Sequence, residues 1–219
     1  MSNIKIKKLT LGISSIIINE PKTYNSLSFK NLNHLIKAFD KLNSDNITKV
    51  IIIEGSGPGF SAGHNLKEVK GLKLKSKYQK LFNLCSKLMM KIVEGRKPVI
   101  AKVHGAAFAA GCQLVASCDL AYSTKDAKFA TPGVNIGLFC STPMVAVSRK
   151  VSRKKMMKML LTGEPINANY AKEIGLINDC FPKSKLNKEV LKVAKIISSK
   201  SNLTIKIGKQ AFYKQLEMP

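Results

Sequence analysis

Residues 98–122 read PVIAKVHGAAFAAGCQLVASCDLAY, and the reading of this stretch decides the fold. Val99–Val103 is a short, mostly apolar run rich in β-branched residues, the pattern of a buried strand. His104 to Gly111 is a turn of very small residues. Cys112–Ser117 is apolar almost all round, which predicts a buried helix. Small residues at a helix start let another molecule approach the backbone closely. The first N–H groups of a helix have no acceptor inside it, and the helix dipole favours negative charge there. Strand, Gly/Ala loop and buried helix start together suit an anion or oxyanion cradle. A tight turn whose small residues only permit close packing gives the same sequence, and this stretch alone does not separate the two.

A second stretch repeats the formula. Phe60-Ser61-Ala62-Gly63-His64-Asn65-Leu66 and Phe108-Ala109-Ala110-Gly111-Cys112-Gln113-Leu114 both read F-(S/A)-A-G-x-(N/Q)-L. Each follows an apolar strand, Val50–Ile53 in the first case. Two such loops aiming one backbone N–H each at a shared point make an oxyanion hole, whose effect comes from donors fixed before the reaction.

Composition narrows the classes. The chain has 219 residues, 45% of them hydrophobic, and no Trp. That length buries roughly 70–75% of the unfolded surface without disulfide or metal staples. The five Cys (85, 112, 118, 140, 180) are odd in number and irregular in spacing, as free thiols of a reducing compartment are. The three His (34, 64, 104) lack zinc-site spacing, so no metal is expected. The formal net charge of +24 suggests an acidic partner: nucleic acid, a membrane surface or a phosphate-rich ligand. Only three of the 37 basic residues are Arg (96, 149, 153), whereas base readout and bidentate phosphate grips favour Arg. A solvated, lysine-biased surface explains the charge equally well. The N-terminus lacks the uninterrupted apolar core of a signal peptide. No apolar run approaches the ~18 residues of a membrane span. The expected location is cytoplasmic, or the mitochondrial matrix if a targeting segment has been removed, with no membrane partner.

Along the chain, Ile4–Leu11 and Ile13–Asn19 read as a hairpin about Gly12. Ser28 is an N-cap for a helix whose Leu32, Leu35, Ile36, Phe39 and Leu42 repeat at helical spacing. Gly55-Ser56-Gly57-Pro58-Gly59 lacks the third glycine of a dinucleotide loop, and Pro58 removes a donor, so a nucleotide fold is rejected. Lys67 to Lys80 carries six Lys, either a phosphate-binding lid or a solvated helix face. Leu81, Leu84, Leu88 and Ile92 give a helix that ends before Pro98. Leu120–Ser123 and Ile177–Cys180 read as strands, and Phe129–Leu138 as a strand and turn. Ser152–Leu161 reads as a helix stopped by Gly163, and Asn167 caps a short helix that ends at Gly175. Leu186–Ser199 and Thr204–Leu216 read as amphipathic helices whose apolar stripes are expected to be exposed. Alternating strands and helices with a recurring strand–loop–helix unit point to one α/β domain with a helical C-terminal part.

These residues resemble the enoyl-CoA hydratase/isomerase (crotonase) family over nearly the whole chain. Asn19-Glu20-Pro21 through Ser28 is similar to the family's N-R-P…N-A-L, with Glu20 for Arg. FSAGHNL (60–66) is similar to F-x-A-G-x-D-L, with Asn65 for Asp. Residues 104–120 resemble G…G-G-G-x-E-L…C-D, residues 129–137 F-x-x-P-E…G, and residues 161–177 the L-T-G…A…A…G-L-V block. The resemblance implies a spiral of strand–strand–helix units over residues 1–184. It also implies the start of a C-terminal helical region over 185–219, cut short relative to the family. It further implies an acyl-CoA thioester as ligand, in fatty-acid or acyl-CoA metabolism, with no covalently bound cofactor and no metal. A homotrimer or hexamer is implied if the C-terminus is complete.

By position, the resemblance assigns the oxyanion donors to the backbone N–H groups of His64 and Ala110, and CoA contacts to Ala62, Gly63 and Lys67. It places the two glutamates with which family hydratases activate water and shuttle a proton on Gln113 and Gly133. Gln is no general base and Gly has no side chain. An Asp used by other members falls near Ser141. The resemblance therefore implies a weak or altered hydratase/isomerase (lyase) activity, which Gln113→Glu with Gly133→Glu is expected to raise. The alternatives are a non-catalytic CoA-ester binder and an RNA-binding member that uses the +24 charge.

Overall fold

The structure is a computed structural model and describes residues 3–216 and 218. β1 (Ile4–Thr10) and β2 (Ile13–Ile18) form an antiparallel hairpin turned at Gly12. α1 (Phe29–Ser44) starts at Ser28, whose side chain accepts from the Asn31 N–H, and leads to β3 (Val50–Gly55). α2 (Leu66–Lys70) is capped by Asn65, which accepts from the N–H groups of Lys67 and Glu68. α3 (Lys75–Val93), β4 (Val99–Val103), β5 (Ala106–Phe108), α4 (Ala110–Ser117), β6 (Leu120–Thr124) and β7 (Lys128–Ala130) follow. After a 3-10 turn at Pro132–Ile136 come α5 (Ser141–Ser148), α6 (Arg153–Thr162), β8 (Ile166–Asn167), α7 (Ala168–Glu173) and β9 (Asp179–Phe181). α8 (Lys183–Ser198) and α9 (Asn202–Gln215) end the chain.

The main sheet runs β1-β2-β3-β4-β6-β9, parallel from β2 onward, and a small sheet runs β5-β7-β8. Parallel strands covered on both faces need continuous β-branched runs, and Val50-Ile51-Ile52-Ile53 is one. Its odd-numbered members pack with α1, α3 and α4 in the larger core. Its even-numbered members pack on the opposite face with Leu186, Val190 and Ala194 of α8.

The periodic face of α1 is buried as its spacing requires, and every residue of α4 is buried. Other expectations are corrected. The stretch read as a turn at residues 104–111 contains β5, a three-residue strand of the second sheet. Residues 67–80 do not form one helix face, because α2 ends at Gly71 and α3 starts at Lys75. The turn expected within 129–138 is a 3-10 turn, the last strand sits at Asp179–Phe181, and α5 was not foreseen. The Leu186, Val190 and Ala194 stripe of α8 is covered by the sheet, whereas α9 leaves Leu203, Ile207 and Phe212 exposed.

Candidate active site

The two matched loops leave the C-terminal ends of β3 and β4 and meet. Ser61 pairs with Ala107 in a parallel bridge: its N–H donates to Ala106 O at 3.0 Å and its carbonyl accepts from Phe108 N at 2.9 Å. Gly63, at φ +88°, lies so close to the second loop that a Cβ there would stand 3.0 Å from Ala110 N and 2.9 Å from Phe108 O. A side chain at position 63 would therefore be strained on both conformational and steric grounds.

The first loop is braced from behind. The Ala62 N–H donates to Tyr24 O at 2.9 Å, the Leu27 N–H to Gly63 O at 2.8 Å, and Ser61 Oγ to Asn25 O at 2.9 Å. Asn25, buried and left-handed at φ 55°, donates from its amide to Ser56 O and Gly59 O. Glu20, where the family pattern has Arg, accepts from the Asn31 and Asn3 amides. The second loop is braced by strain. Ala109 N–H donates to Ala130 O at 2.9 Å, and Ala109 itself sits at φ 47°, ψ −118°, a region that side chains disfavour. This conformation sets the direction of the next peptide, whose N–H is that of Ala110, the first residue of α4.

Among the described residues neither the His64 N–H nor the Ala110 N–H has an acceptor. Two fixed amide donors in touching loops, one at a helix start, suit an oxygen that gains negative charge. The His64 ring stands edge-on to Phe82, centroids 5.5 Å apart. Its Nδ1 lies 3.1 Å from Leu27 O, and a carbonyl only accepts, so Nδ1 carries the proton and Nε2 the lone pair. Nε2 is buried with no hydrogen-bond partner among the described residues. Burial holds the His64 pKa below its usual 6.5, against the Leu27 hydrogen bond, which raises it.

Gln113 is buried on α4, its Oε1 3.9 Å from Cys85 Sγ. Gly133 lies in the 3-10 turn, its N–H donating to Cys140 Sγ at 3.3 Å. A Cβ at 133 would stand 2.7 Å from Leu138 O and 3.0 Å from Cys140 Sγ. The expectation that a glutamate at 133 raises activity is therefore corrected: the turn leaves no room for its first carbon. Ala62 is exposed at the loop surface, and Lys67 is exposed in the first turn of α2. The thiols are poor nucleophiles, since burial pushes Cys85 and Cys112 up to about 12 and raises Cys118 and Cys140 as well. A groove of about 440 Å³ lies elsewhere, between α1 and α3. Sequence reasoning found both loops but missed the supports. Left-handed Asn25 had a signal, because Asn tolerates positive φ; Ala109 had none.

The enoyl-CoA hydratase/isomerase family profile matches residues 9–219. The chain belongs to the enoyl-CoA hydratase/isomerase family. It is 47% identical over 205 residues to human "Enoyl-CoA hydratase domain-containing protein 3, mitochondrial", covering 94% of this chain and 68% of that protein. It is 32% identical over 213 residues to "Enoyl-CoA hydratase, mitochondrial" of Pongo abelii, covering 97% of this chain and 72% of that one. Among solved structures it is similar to an enoyl-CoA hydratase of Mycobacterium smegmatis, with TM-score 0.97 and 41% identity over 99% of this chain and 84% of that one. Human enoyl coenzyme A hydratase domain-containing protein 3 gives TM-score 0.95 and 45% identity, covering 99% of this chain and 85% of that one. The α/β spiral is thus the family fold.

Proposed function

We propose that the chain binds an acyl-CoA thioester with the carbonyl oxygen between the His64 and Ala110 N–H groups. The observation that carries this reading is the contact of two braced loops whose amide donors have no acceptor among the described residues. Ala62 and Gly63 then flank the thioester arm, and Lys67 screens the CoA phosphates. Calorimetry with acetyl-CoA and a longer acyl-CoA tests the reading. Binding lost on Gly63→Ala, in a variant that still folds, supports it, and no heat from folded wild type at millimolar ligand refutes it.

The chemistry this site supplies is enolate stabilisation without the usual proton carriers. Each positioned acid or base typically contributes ~10²–10⁴-fold, and positions 113 and 133 offer an amide and no side chain. Hydration of a short enoyl-CoA is therefore expected below the ~1–10³ per second of ordinary enzymes. Gln113→Glu alone is the meaningful restoration, since Gly133 has no space behind it. A role in fatty-acid metabolism belongs to the same proposal, as does assembly as a homotrimer or hexamer. The mitochondrial names of the relatives favour the matrix over the cytoplasm.

A further inference from the structure

β2, β3 and β4 run parallel, so they end together at the acyl-CoA loops and begin together at the opposite pole, roughly 17–20 Å away. At that pole the turn of the β1–β2 hairpin presents Leu11, 87% exposed, and the loop before β3 presents Ile47, 53% exposed. They stand on one braced platform, because Gly12 O accepts from Lys49 N at 2.7 Å and from Val50 N at 3.0 Å. The Lys49 stem lies against Gly12. A cavity of about 550 Å³ brings Leu11, Ile47 and Lys49 together with Lys195 and Ser198 at the end of α8.

Segments 8–12, 45–49 and 195–200 hold four lysines (8, 49, 195, 200) and a single carboxylate, Asp45. That carboxylate is already engaged by the Ile47 and Thr48 N–H groups and the Thr48 hydroxyl. A single exposed Leu is ordinary. A Leu at the apex of a braced hairpin, beside a second aliphatic and with Lys49 and Lys195 lining the same cavity, matches an anionic, amphipathic partner. These segments contain no Arg and no aromatic side chain, the groups on which nucleic-acid bases stack.

We propose that this pole docks on an anionic bilayer surface, with Leu11 and Ile47 entering the headgroup boundary and the four lysines contacting lipid phosphates. No helix of the described residues is long and apolar enough to cross a membrane, and surface docking requires none. The acyl-CoA loops then face away from the bilayer.

Co-sedimentation of the full chain tests this, using phosphatidylcholine vesicles with and without phosphatidylserine at low and high salt. Binding to the anionic vesicles alone, weakened by salt, is expected. Lys49→Glu with Lys195→Glu is expected to reduce partitioning by roughly fivefold or more per lysine, and Leu11→Ser severalfold. Lys154→Glu with Lys158→Glu, on exposed positions of α6, is the charge-matched control and is expected to do less. Three results overturn the proposal: no binding to anionic vesicles at low salt, equal loss in the control pair with no effect of Leu11→Ser, or preferential binding of a single-stranded RNA that Leu11→Ser leaves unchanged.

Discussion

Ala109 holds φ 47°, ψ −118°, which an alanine tolerates only at a cost of about 1–3 kcal/mol. Glycine removes that strain and costs about 0.5–1 kcal/mol in chain entropy. Ala109→Gly is therefore expected to stabilise by about 1 kcal/mol, a rise of roughly 2–4 °C in Tm at this size. It also loosens the peptide that points the Ala110 N–H, so acyl-CoA affinity is expected to fall as Tm rises. Scanning calorimetry and ligand titration of the same sample check both signs, and a rise in both quantities contradicts the positioning role. At His64 the folded pKa is depressed below 6.5 by burial. Below that pH the unfolded chain takes up a proton that the folded ring resists, so stability falls as pH drops below 6.5. Asp45, held down at about 2, adds acid sensitivity only below its usual 3.8. Melting curves recorded on either side of pH 6.5 are expected to lose this upper limb in His64→Gln.

α9 buries no apolar side chain, so apolar packing does not hold it. A polar clasp does. Lys209 Nζ, on a side chain only 6% exposed, donates to Asp119 Oδ2 at 2.7 Å, Ile92 O at 2.8 Å and Lys97 O at 2.9 Å. Tyr213 donates to Asp119 Oδ1 at 3.0 Å, and Asp119 Oδ2 also accepts from the Val99 N–H at 2.7 Å. Removing one partner of a buried pair leaves the other charge uncompensated, at about 3–5 kcal/mol. Asp119→Asn strands the more buried charge and is expected to cost more than Lys209→Met, whose loss leaves Asp119 two donors. Limited proteolysis is expected to cut near 199–202 in both variants, with the larger loss of Tm in Asp119→Asn; the reverse order refutes the clasp. None of this was legible in the sequence, because the partners lie 90 residues apart and no periodicity links them. α1 was legible from its apolar spacing, and β4 from its β-branched run. α5 was not, since it buries only Pro143 and Val147, nor was β5, whose Ala106-Ala107 carries no strand preference. The site loops were visible as a repeated formula, whereas the empty space needed by a glutamate at 133 depends on where Leu138 O falls.

The whole molecule sets two opposing forces against each other. Its net charge of +24 repels like copies. Its last helix exposes Leu203 and Ile207, four apart on one face, and Phe212 on another, with Leu216 exposed at its C-cap. Exposed apolar surface of this kind drives association, and burying each such side chain contributes about 1.5–3 kcal/mol. Which force wins depends on screening, because the Debye length shrinks from ~30 Å at 0.01 M salt to ~8 Å at 0.15 M. The chain is accordingly expected to be monomeric in dilute buffer and to associate with increasing concentration at physiological salt. The response is opposite to that of a salt-bridged assembly, which salt would loosen. Leu203→Lys with Ile207→Lys removes one apolar face, adds charge, and touches none of the clasp around Lys209; it is expected to keep the chain monomeric at both salts. Light scattering across a concentration series decides the matter. Association that weakens with salt, or that persists unchanged in the double variant, would locate the contact away from α9.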